Sequence, residues 1–218
     1  MVSKSAKILR RTWLLGASSA LLTLPFVSPG VALGATADVL KEVAKARASL
    51  KTLLAPFEQT RVIGLLAEPV KSKGELTLVR PDQLRWELYA PDDVVYWVNK
   101  SGISYRAGKA AKPTSVPKQG GFSVVLDDLL TFLAGDLESL GSRYTFDATS
   151  SATGAVIDAT PKADDLKKHL KRISMVTNAE KWGVAKIVIE DASGDLSTIV
   201  FGENKKDTKV DAARMKPS

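Results

Sequence analysis

The chain has no cysteine at any of its 218 positions. No disulfide can therefore support the fold, so its stability must come from a hydrophobic core, and no cysteine is available for acylation. Histidine is nearly as scarce, because His169 is the only one and lies in a lysine-rich stretch without a recognisable motif. These two absences weigh against metal centres and against nucleophilic triads built on cysteine or histidine.

Other enzyme signatures are also missing. No glycine-rich phosphate-binding loop occurs, so any energy that the protein uses would have to come from a partner. Adjacent carboxylates occur at Asp127 and Asp128 and again at Asp164 and Asp165. Neighbouring side chains on a helix diverge, and such pairs are usually solvated surface charge rather than an acid and a base. We therefore predict a protein that is not an enzyme and that uses no cofactor and no metal.

The first 35 residues have the composition of a cleavable signal peptide. An apolar run, Trp13 to Val27, follows a basic beginning, and the small residues from Ala32 to Ala37 offer cleavage sites. An uncleaved membrane anchor is the alternative, but the apolar run is short for a membrane span and polar residues interrupt it. We predict export to the periplasm and a single mature domain over residues 36–218, which is within the ordinary domain size.

The mature domain is only mildly basic. Removal of the four basic residues of the leader leaves 27 Lys and Arg against 24 Asp and Glu, a net charge of +3. No arginine-rich or aromatic-interleaved patch typical of nucleic-acid grooves occurs, so nucleic acid is not an expected partner. The densest basic cluster, which follows Asp164 and Asp165, is interpreted as a solvated surface and comprises Lys167, Lys168, Lys171 and Arg172.

Two segments have the periodicity of helices. Residues Asp38 to Leu54 carry apolar side chains near helical spacing, at Val39, Val43, Leu50, Leu53 and Leu54. Residues Phe122 to Leu140 form a second apolar face with Val125, Leu126, Leu129, Leu130 and Leu133, and Gly135 is expected to break this segment into two short helices. The stretch Lys109 to Gly121 is rich in Lys, Pro and Gly and is predicted to be a mobile loop.

Short runs of strand-forming residues, separated by turn residues, occupy most of the remaining chain. The predicted strands are Phe57 to Ile63, Gly74 to Arg80, Leu84 to Ala90, Val94 to Asn99, Ile103 to Ala107, Tyr144 to Ala148, Ala155 to Thr160, Leu170 to Thr177, Val184 to Glu190 and Leu196 to Gly202. We predict an α+β fold in which an antiparallel sheet of about ten strands has helices inserted at two places.

Arg80 is the most unusual residue of this pattern. Strand alternation places it on the same face as the apolar residues Leu76 and Leu78. A guanidinium that faces a sheet interior requires hydrogen-bonding partners there, because its desolvation is costly. The simpler alternative is that Arg80 ends the strand before Pro81 and reaches solvent.

An ordered set of motifs resembles the LolA family, whose members are periplasmic carriers of outer-membrane lipoproteins. FEQTR at Phe57 to Arg61 matches the Phe-x-Gln segment that follows the first helix of that family. Gly74 matches a glycine that opens the next strand, and VRPDQLRWE at Val79 to Glu87 matches an Arg-Pro pair before a strand that bears a Trp. The resemblance covers rather more than half of the mature chain and weakens after Thr160.

The resemblance implies a strongly curved antiparallel sheet that forms an incomplete β-barrel, covered by a lid of α-helices. It implies a soluble monomeric chaperone that binds the acyl chains of lipoproteins in a hydrophobic cavity. The partners that it implies are an inner-membrane ABC exporter complex and an outer-membrane acceptor lipoprotein. In this interpretation Arg80 and Pro81 form the lid latch, and the arginine bonds carbonyls of the lid while the cavity is empty.

The resemblance also suggests which apolar side chains contact cargo. The candidate walls of the acyl-chain cavity are Phe57, Leu76, Leu78, Leu84, Trp86, Leu88 and Trp97, and the candidate lid residues are Leu126, Leu129, Leu130 and Leu133. Ordinary core packing is the alternative for each of them, because apolar stripes usually fill a core.

The carboxyl-terminal region departs from the family, since it lacks the usual aromatic-rich last strand. This departure concerns the cargo more than the fold. Two other functional classes therefore stay open: a carrier of another envelope amphiphile, such as a glycolipid, and an envelope-stress sensor that binds misplaced lipoproteins. The identity of the bound lipid would distinguish the two carriers.

Overall fold

The computed structural model describes residues 33–116 and 122–218. The predicted leader, residues 1–35, thus lies outside the described residues except for its last three positions, and so does the end of the predicted mobile loop. The described part contains α1 (Leu33–Arg47), α2 (Phe122–Ala134) and the single-turn α3 (Asp164–Lys167). Two short 3-10 helices span Ser139–Ser142 and Ala212–Met215.

Twelve strands form one sheet in this part of the chain. They are β1 (Thr52–Val62), β2 (Val70–Val79), β3 (Gln83–Leu88), β4 (Val94–Asn99), β5 (Gly102–Ala107), β6 (Thr114–Val116), β7 (Tyr144–Ser151), β8 (Gly154–Pro161), β9 (Leu170–Thr177), β10 (Val184–Asp191), β11 (Leu196–Phe201) and β12 (Lys205–Lys206). The ten predicted strands are all present. The prediction missed β6 and β12 because they are too short to show an alternating pattern.

The sheet is antiparallel throughout and is not closed. Its strand order is β6-β5-β4-β3-β2-β1-β11-β10-β9-β8-β7, and β12 pairs with the first part of β1. The central contact between β1 and β11 joins two meanders that are far apart in sequence. The two outermost strands, β6 and β7, do not pair, so the fold is the predicted incomplete barrel.

The first helix ends earlier than its pattern predicted. α1 stops at Arg47 rather than Leu54, and Leu53 and Leu54 belong to β1. Leu53 is fully buried whereas Leu54 is only half-buried, which is strand alternation. The error arose because the spacing of these leucines fits a helix and a strand equally well.

The second helix ends where the sequence predicted. Gly135 has φ +83°, and its backbone N–H donates to Phe132 O at 3.2 Å. The N–H of Asp136 donates to Thr131 O at 3.2 Å, which completes a Schellman motif. Glycine suits this position because the left-handed backbone conformation is costly for a residue with a Cβ.

One face of the sheet, called here the inner face, packs the hydrophobic core. The predicted alternation of β2 and β3 is confirmed, because Leu76, Leu78, Leu84 and Trp86 are all buried in this core. The apolar face of α2 contributes to the same core, and Val39 and Val43 of α1 join it where α1 packs on β7 and β8. The core therefore lies between the inner face and the helices.

Gly74 gives a direct test of how closely the inner face is packed. A Cβ at this position would lie 1.9 Å from the carbonyl oxygen of Glu87 and 2.6 Å from Cζ of Phe57. We expect Gly74→Ala to lower the free energy of unfolding by about 3 kcal/mol, because neither the backbone nor the ring can move away freely. Urea denaturation measures this change. Gly141→Ala is the matched control, since nothing lies within 4 Å of its Cβ position, and equal losses in both variants would contradict this account.

Candidate functional site

A cavity of about 520 Å³ opens on the inner face. Apolar side chains from the sheet and from the start of α2 line one part of it, namely Trp86, Leu88, Val125 and Ile189. The remaining wall is mostly polar, with Gln59, Arg61, Ser72, Asp92, Lys168, His169, Asp191 and Asp195 among its members. A volume of this size is typical of small-molecule sites, which occupy roughly 300–1,000 Å³.

Two of the predicted wall residues line this cavity and four lie deeper. Trp86 and Leu88 are lining residues, whereas Phe57, Leu76, Leu78 and Leu84 are buried in the core. The ring of Phe57 lies 4.4 Å from that of Trp86, between centroids, and 5.8 Å from that of Phe201. This aromatic cluster forms the floor beneath the cavity.

Trp97 is not a wall of this cavity, which corrects its prediction. On β4 the inner-face positions are those of Tyr96 and Val98, so Trp97 lies on the opposite, outer face. There its Nε1 donates to Arg214 O at 3.0 Å, and the carboxyl-terminal segment covers it. A buried tryptophan on a two-faced strand cannot be assigned to a face until the covering segment is known.

The four predicted lid leucines are all buried on α2. All four pack into the core against the sheet. Val125, near the start of the helix, reaches the cavity. Whether α2 moves when a ligand binds stays a prediction.

Arg80 makes contacts that match the partnered alternative rather than the solvent-exposed one. Its Nη1 donates to the carbonyl oxygens of Arg47 at 2.5 Å, Ala48 at 3.3 Å and Leu50 at 3.4 Å. These carbonyls belong to the end of α1 and to the turn that leads into β1. Pro81 follows on the surface and makes no comparable contact within the described residues. The guanidinium thus ties the end of β2 to the end of α1.

Arg47 is a functional candidate that the sequence analysis missed. Its side chain is fully buried, and Nη1 donates to Phe132 O at 2.7 Å, at the end of α2. Nε donates to Trp182 O at 3.2 Å and Nη2 to Gly183 O at 3.2 Å, both in the β9–β10 turn. No ion pair of Arg47 with a carboxylate occurs within the part of the chain that the structure describes. Burial, with the nearby charge of Arg80, lowers the pKa of Arg47 to about 10.

The sequence contains only a weak indication that Arg47 is buried and bonds α2 and the β9–β10 turn. An arginine in the last turn of a helix is favourable on the surface, so Arg47 resembled an ordinary solvated residue. The useful signal is Gly135, because a Cβ there would lie 3.2 Å from Cβ of Arg47. Without the fold, however, nothing joins positions 47 and 135.

Asp128 is also buried, which corrects its interpretation as solvated charge. Its carboxylate accepts a hydrogen bond from the Tyr144 hydroxyl and pairs with Arg143 Nη1 at 3.0 Å. Burial raises the pKa of this carboxyl, while the hydrogen bond from Tyr144 and the charge of Arg143 oppose that rise. These two contacts of Asp128 fix α2 against the start of β7.

The basic cluster is partly what the sequence predicted. Three of its members form surface ion pairs: Lys167 with Asp164 at 3.0 Å, Lys171 with Glu190 at 2.5 Å, and Arg172 with Glu190 at 3.9 Å. The fourth member, Lys168, instead lines the cavity, as does the neighbouring His169.

The β1–β2 hairpin lies beside the cavity and carries exposed apolar side chains. Leu65 is 96% exposed and Leu66 is 51% exposed. The neighbouring Gly64 donates its N–H to Asp195 Oδ1 at 2.9 Å, and Asp195 is a lining residue. An uncovered leucine pair therefore lies next to the opening.

Among the described residues, no group of three or more His, Asp or Glu side chains could hold a metal ion. None of the helices in that part of the chain combines the length and the apolar character needed to cross a membrane.

An open antiparallel sheet with helices over an inner-face cavity defines the class of the protein as a ligand-binding module. The family model described as outer membrane lipoprotein carrier protein LolA matches residues 48–218. The chain therefore belongs to the LolA family.

Known proteins resemble the chain at a distance. An outer-membrane lipoprotein carrier protein of Pseudoalteromonas translucida is 24% identical over 164 residues, which are 75% of each chain. A LolA superfamily protein of Nitrosomonas europaea has a TM-score of 0.47 at 9% identity, covering 84% of this chain and 97% of its own. The lipoprotein LppX of Mycobacterium tuberculosis has a TM-score of 0.48 at 12% identity, covering 83% and 99% respectively.

Replacement of Arg47 tests its contribution to stability. We expect Arg47→Lys to lower the free energy of unfolding by about 2 kcal/mol, because one ammonium cannot reach the carbonyls of both α2 and the β9–β10 turn. Chemical denaturation gives the value. In Arg172→Lys the same change affects only an exposed side chain with ion pairs at 3.9 Å, so that control should stay within about 0.5 kcal/mol of the parent. A similar loss in both variants would argue against the role of Arg47.

Asp128 makes the stability depend on pH in a specific direction. Because its folded-state pKa is above the ordinary value of 3.8, its contribution is complete at low pH and is lost as the pH rises through the folded-state pKa. We therefore expect the stability of the parent, relative to Asp128→Asn, to fall as the pH rises from the ordinary carboxyl pKa of 3.8 through the higher folded-state pKa. Urea denaturation of both proteins across this range measures the difference.

A second variant checks the cause. Tyr144→Phe removes the hydroxyl that stabilises the charged carboxylate, so the same fall should occur at higher pH than in the parent. A stability difference between parent and Asp128→Asn that is independent of pH would contradict the raised pKa.

Proposed function

We propose that this chain is a periplasmic carrier that shields the acyl chains of lipoproteins while they cross from the inner to the outer membrane. The observation that supports it most is the inner-face cavity, with Trp86, Leu88 and Val125 in its wall. The family match and the relative named as a lipoprotein carrier support the same cargo. Residues 1–35 would be the leader that directs export, and residues 36–218 the mature carrier.

The physical need for such a carrier is large. Each methylene exposed to water costs on the order of 0.8 kcal/mol, so an anchor with several long chains would face a barrier of tens of kcal/mol in an aqueous compartment. A protein cavity removes most of this barrier without supplying energy of its own. An inner-membrane ABC exporter would load the cargo, and an outer-membrane acceptor lipoprotein would receive it.

Arg80 and Arg47 offer a mechanism for opening and closing. Arg80 holds the end of α1, and Arg47 joins that end to the carboxyl end of α2. Long acyl chains need more room than the present cavity, and that room would come from moving α2 off the inner face. Because closure would favour release, the Arg80 hydrogen bonds would set the balance between an empty closed form and a loaded open form.

The first experiment identifies the cargo. Native mass spectrometry of the mature protein from its own periplasm, followed by lipid extraction and proteomics, should find acylated lipoproteins bound. A free glycolipid instead would favour the alternative carrier. An empty protein that also fails to bind added lipoprotein would contradict the proposal.

Arg80→Leu tests the latch. We expect the fold to be retained, cargo affinity to rise and release to slow by roughly 10-fold, since hydrogen bonds from a charged group are worth about 1.5–3 kcal/mol and stabilise only the closed form. Transfer of a fluorescent lipopeptide from the carrier to liposomes measures release. Arg106→Leu is the matched control, because Arg106 contacts Ser218 O and the Trp97 ring on the outer face. Unchanged retention in Arg80→Leu, with a normal melting profile, would remove the latch from the mechanism.

A further inference from the structure

The inner face of β1 changes character in regular steps along the strand. Phe57 lies opposite Gly74 of β2 and Phe201 of β11. Two residues further on, Gln59 lies opposite Ser72 and Ile199, and after two more Arg61 lies opposite Val70 and Ser197. The wall thus passes from aromatic to neutral polar to cationic within four residues, a rise of roughly 13 Å.

The middle step of this series contains polar groups without protein partners. Gln59 and Ser72 are each only 8% exposed, and both line the cavity. Neither side chain makes a hydrogen bond to any part of the chain that the structure describes. Their polar atoms open onto the cavity rather than being enclosed in the core. Since these two groups border the cavity, a bound molecule can supply the missing bonds.

Asp92 extends the same polar layer across the next strand. It lies in the β3–β4 turn and lines the cavity, and its Oδ2 is buried without a hydrogen-bond partner among the described residues. The N–H of Tyr89 donates to Lys73 O at 2.8 Å, which holds this turn beside Ser72. The layer therefore offers donors from the amide and the hydroxyl, and an acceptor from the carboxylate.

We propose that Gln59, Ser72 and Asp92 form a polar subsite for the ester or amide linkages of an acylated ligand. Carbonyl oxygens of these linkages accept from Gln59 Nε2 and Ser72 Oγ, and an amide N–H donates to Asp92. The acyl chains then lie against Trp86 and Leu88, and the head group lies toward Arg61. This subsite deepens the proposed carrier function and rests on it.

The same chemistry disfavours a simpler ligand. A plain alkyl chain would leave Gln59 and Ser72 without hydrogen bonds. The subsite therefore selects chains that are joined through a neutral carbonyl, which is a property of lipoproteins and of acylated glycolipids alike. Selectivity arises from the linkage rather than from chain length.

A pair of matched lipopeptides tests this selectivity. One carries ester-linked chains and the other ether-linked chains of the same length, so they differ only in the carbonyl groups. We expect the parent to bind the ester form roughly 10-fold more tightly, and Gln59→Met to reduce this ratio to about 3-fold without weakening binding of the ether form. Ser72→Ala should reduce the ratio independently. Displacement of a fluorescent fatty-acyl probe gives all the affinities.

The control and the outcomes separate the two proposals. Gln83→Met makes the same change at the start of β3, away from this cavity, and should keep the full ratio. Equal affinity of the parent for both lipopeptides, or an unchanged ratio in both Gln59→Met and Ser72→Ala, would overturn the subsite and leave the carrier function intact. Failure of the parent to bind either lipopeptide would overturn both.

Discussion

The buried guanidinium of Arg47 is the interaction on which the arrangement of the helices depends. It donates to the last turn of α2 and to the β9–β10 turn, while the backbone carbonyl of Arg47 accepts from Arg80. Burial of an arginine without a carboxylate partner is costly, so the neutral carbonyl groups must be held close to it. The ends of two helices, one β-turn and the end of β2 are thereby brought to one point.

This point lies in a fold that is otherwise held by apolar packing. Without disulfides, the sheet depends on the core between its inner face and the helices, and Gly74 allows Phe57 and Trp86 to approach one another there. In the proposed carrier function, long acyl chains would enter a cavity next to such a core by separation of part of the core. Hydrogen bonds are suited to this separation because they break in discrete steps, whereas apolar contacts are lost gradually with area.

The cavity wall suggests how one site can serve ligands with apolar and polar parts. Its aromatic floor, its polar layer and its cationic border at Arg61 follow the order in which an acylated molecule presents chains, linkages and head group. The exposed leucines of the β1–β2 hairpin lie on the charged side. A ligand that enters there would pass its head group last.

Much of this architecture could be predicted, because strand alternation and turn residues are local properties. The ten longer strands, the end of α2 at Gly135 and the shared face of Leu76 and Leu78 all follow from spacing alone. The motifs from Phe57 to Glu87 were enough to indicate the LolA family. The predicted end of α1 was wrong because the spacing of Leu50, Leu53 and Leu54 fits both a helix and a strand. Only the pairing of this segment with β2 and β12 selects the strand.

The sequence by itself thus determined the element types, the sheet class and the family, all of which depend on neighbours along the chain. Tertiary structure alone decided the burial of Arg47 and Asp128, the outer-face position of Trp97 and the partners of Arg80. Each of these depends on groups far away in sequence, such as Phe132, Arg214 and Tyr144. The cost of burying a charge or an indole is set by the partners that the fold supplies, and no local pattern records them.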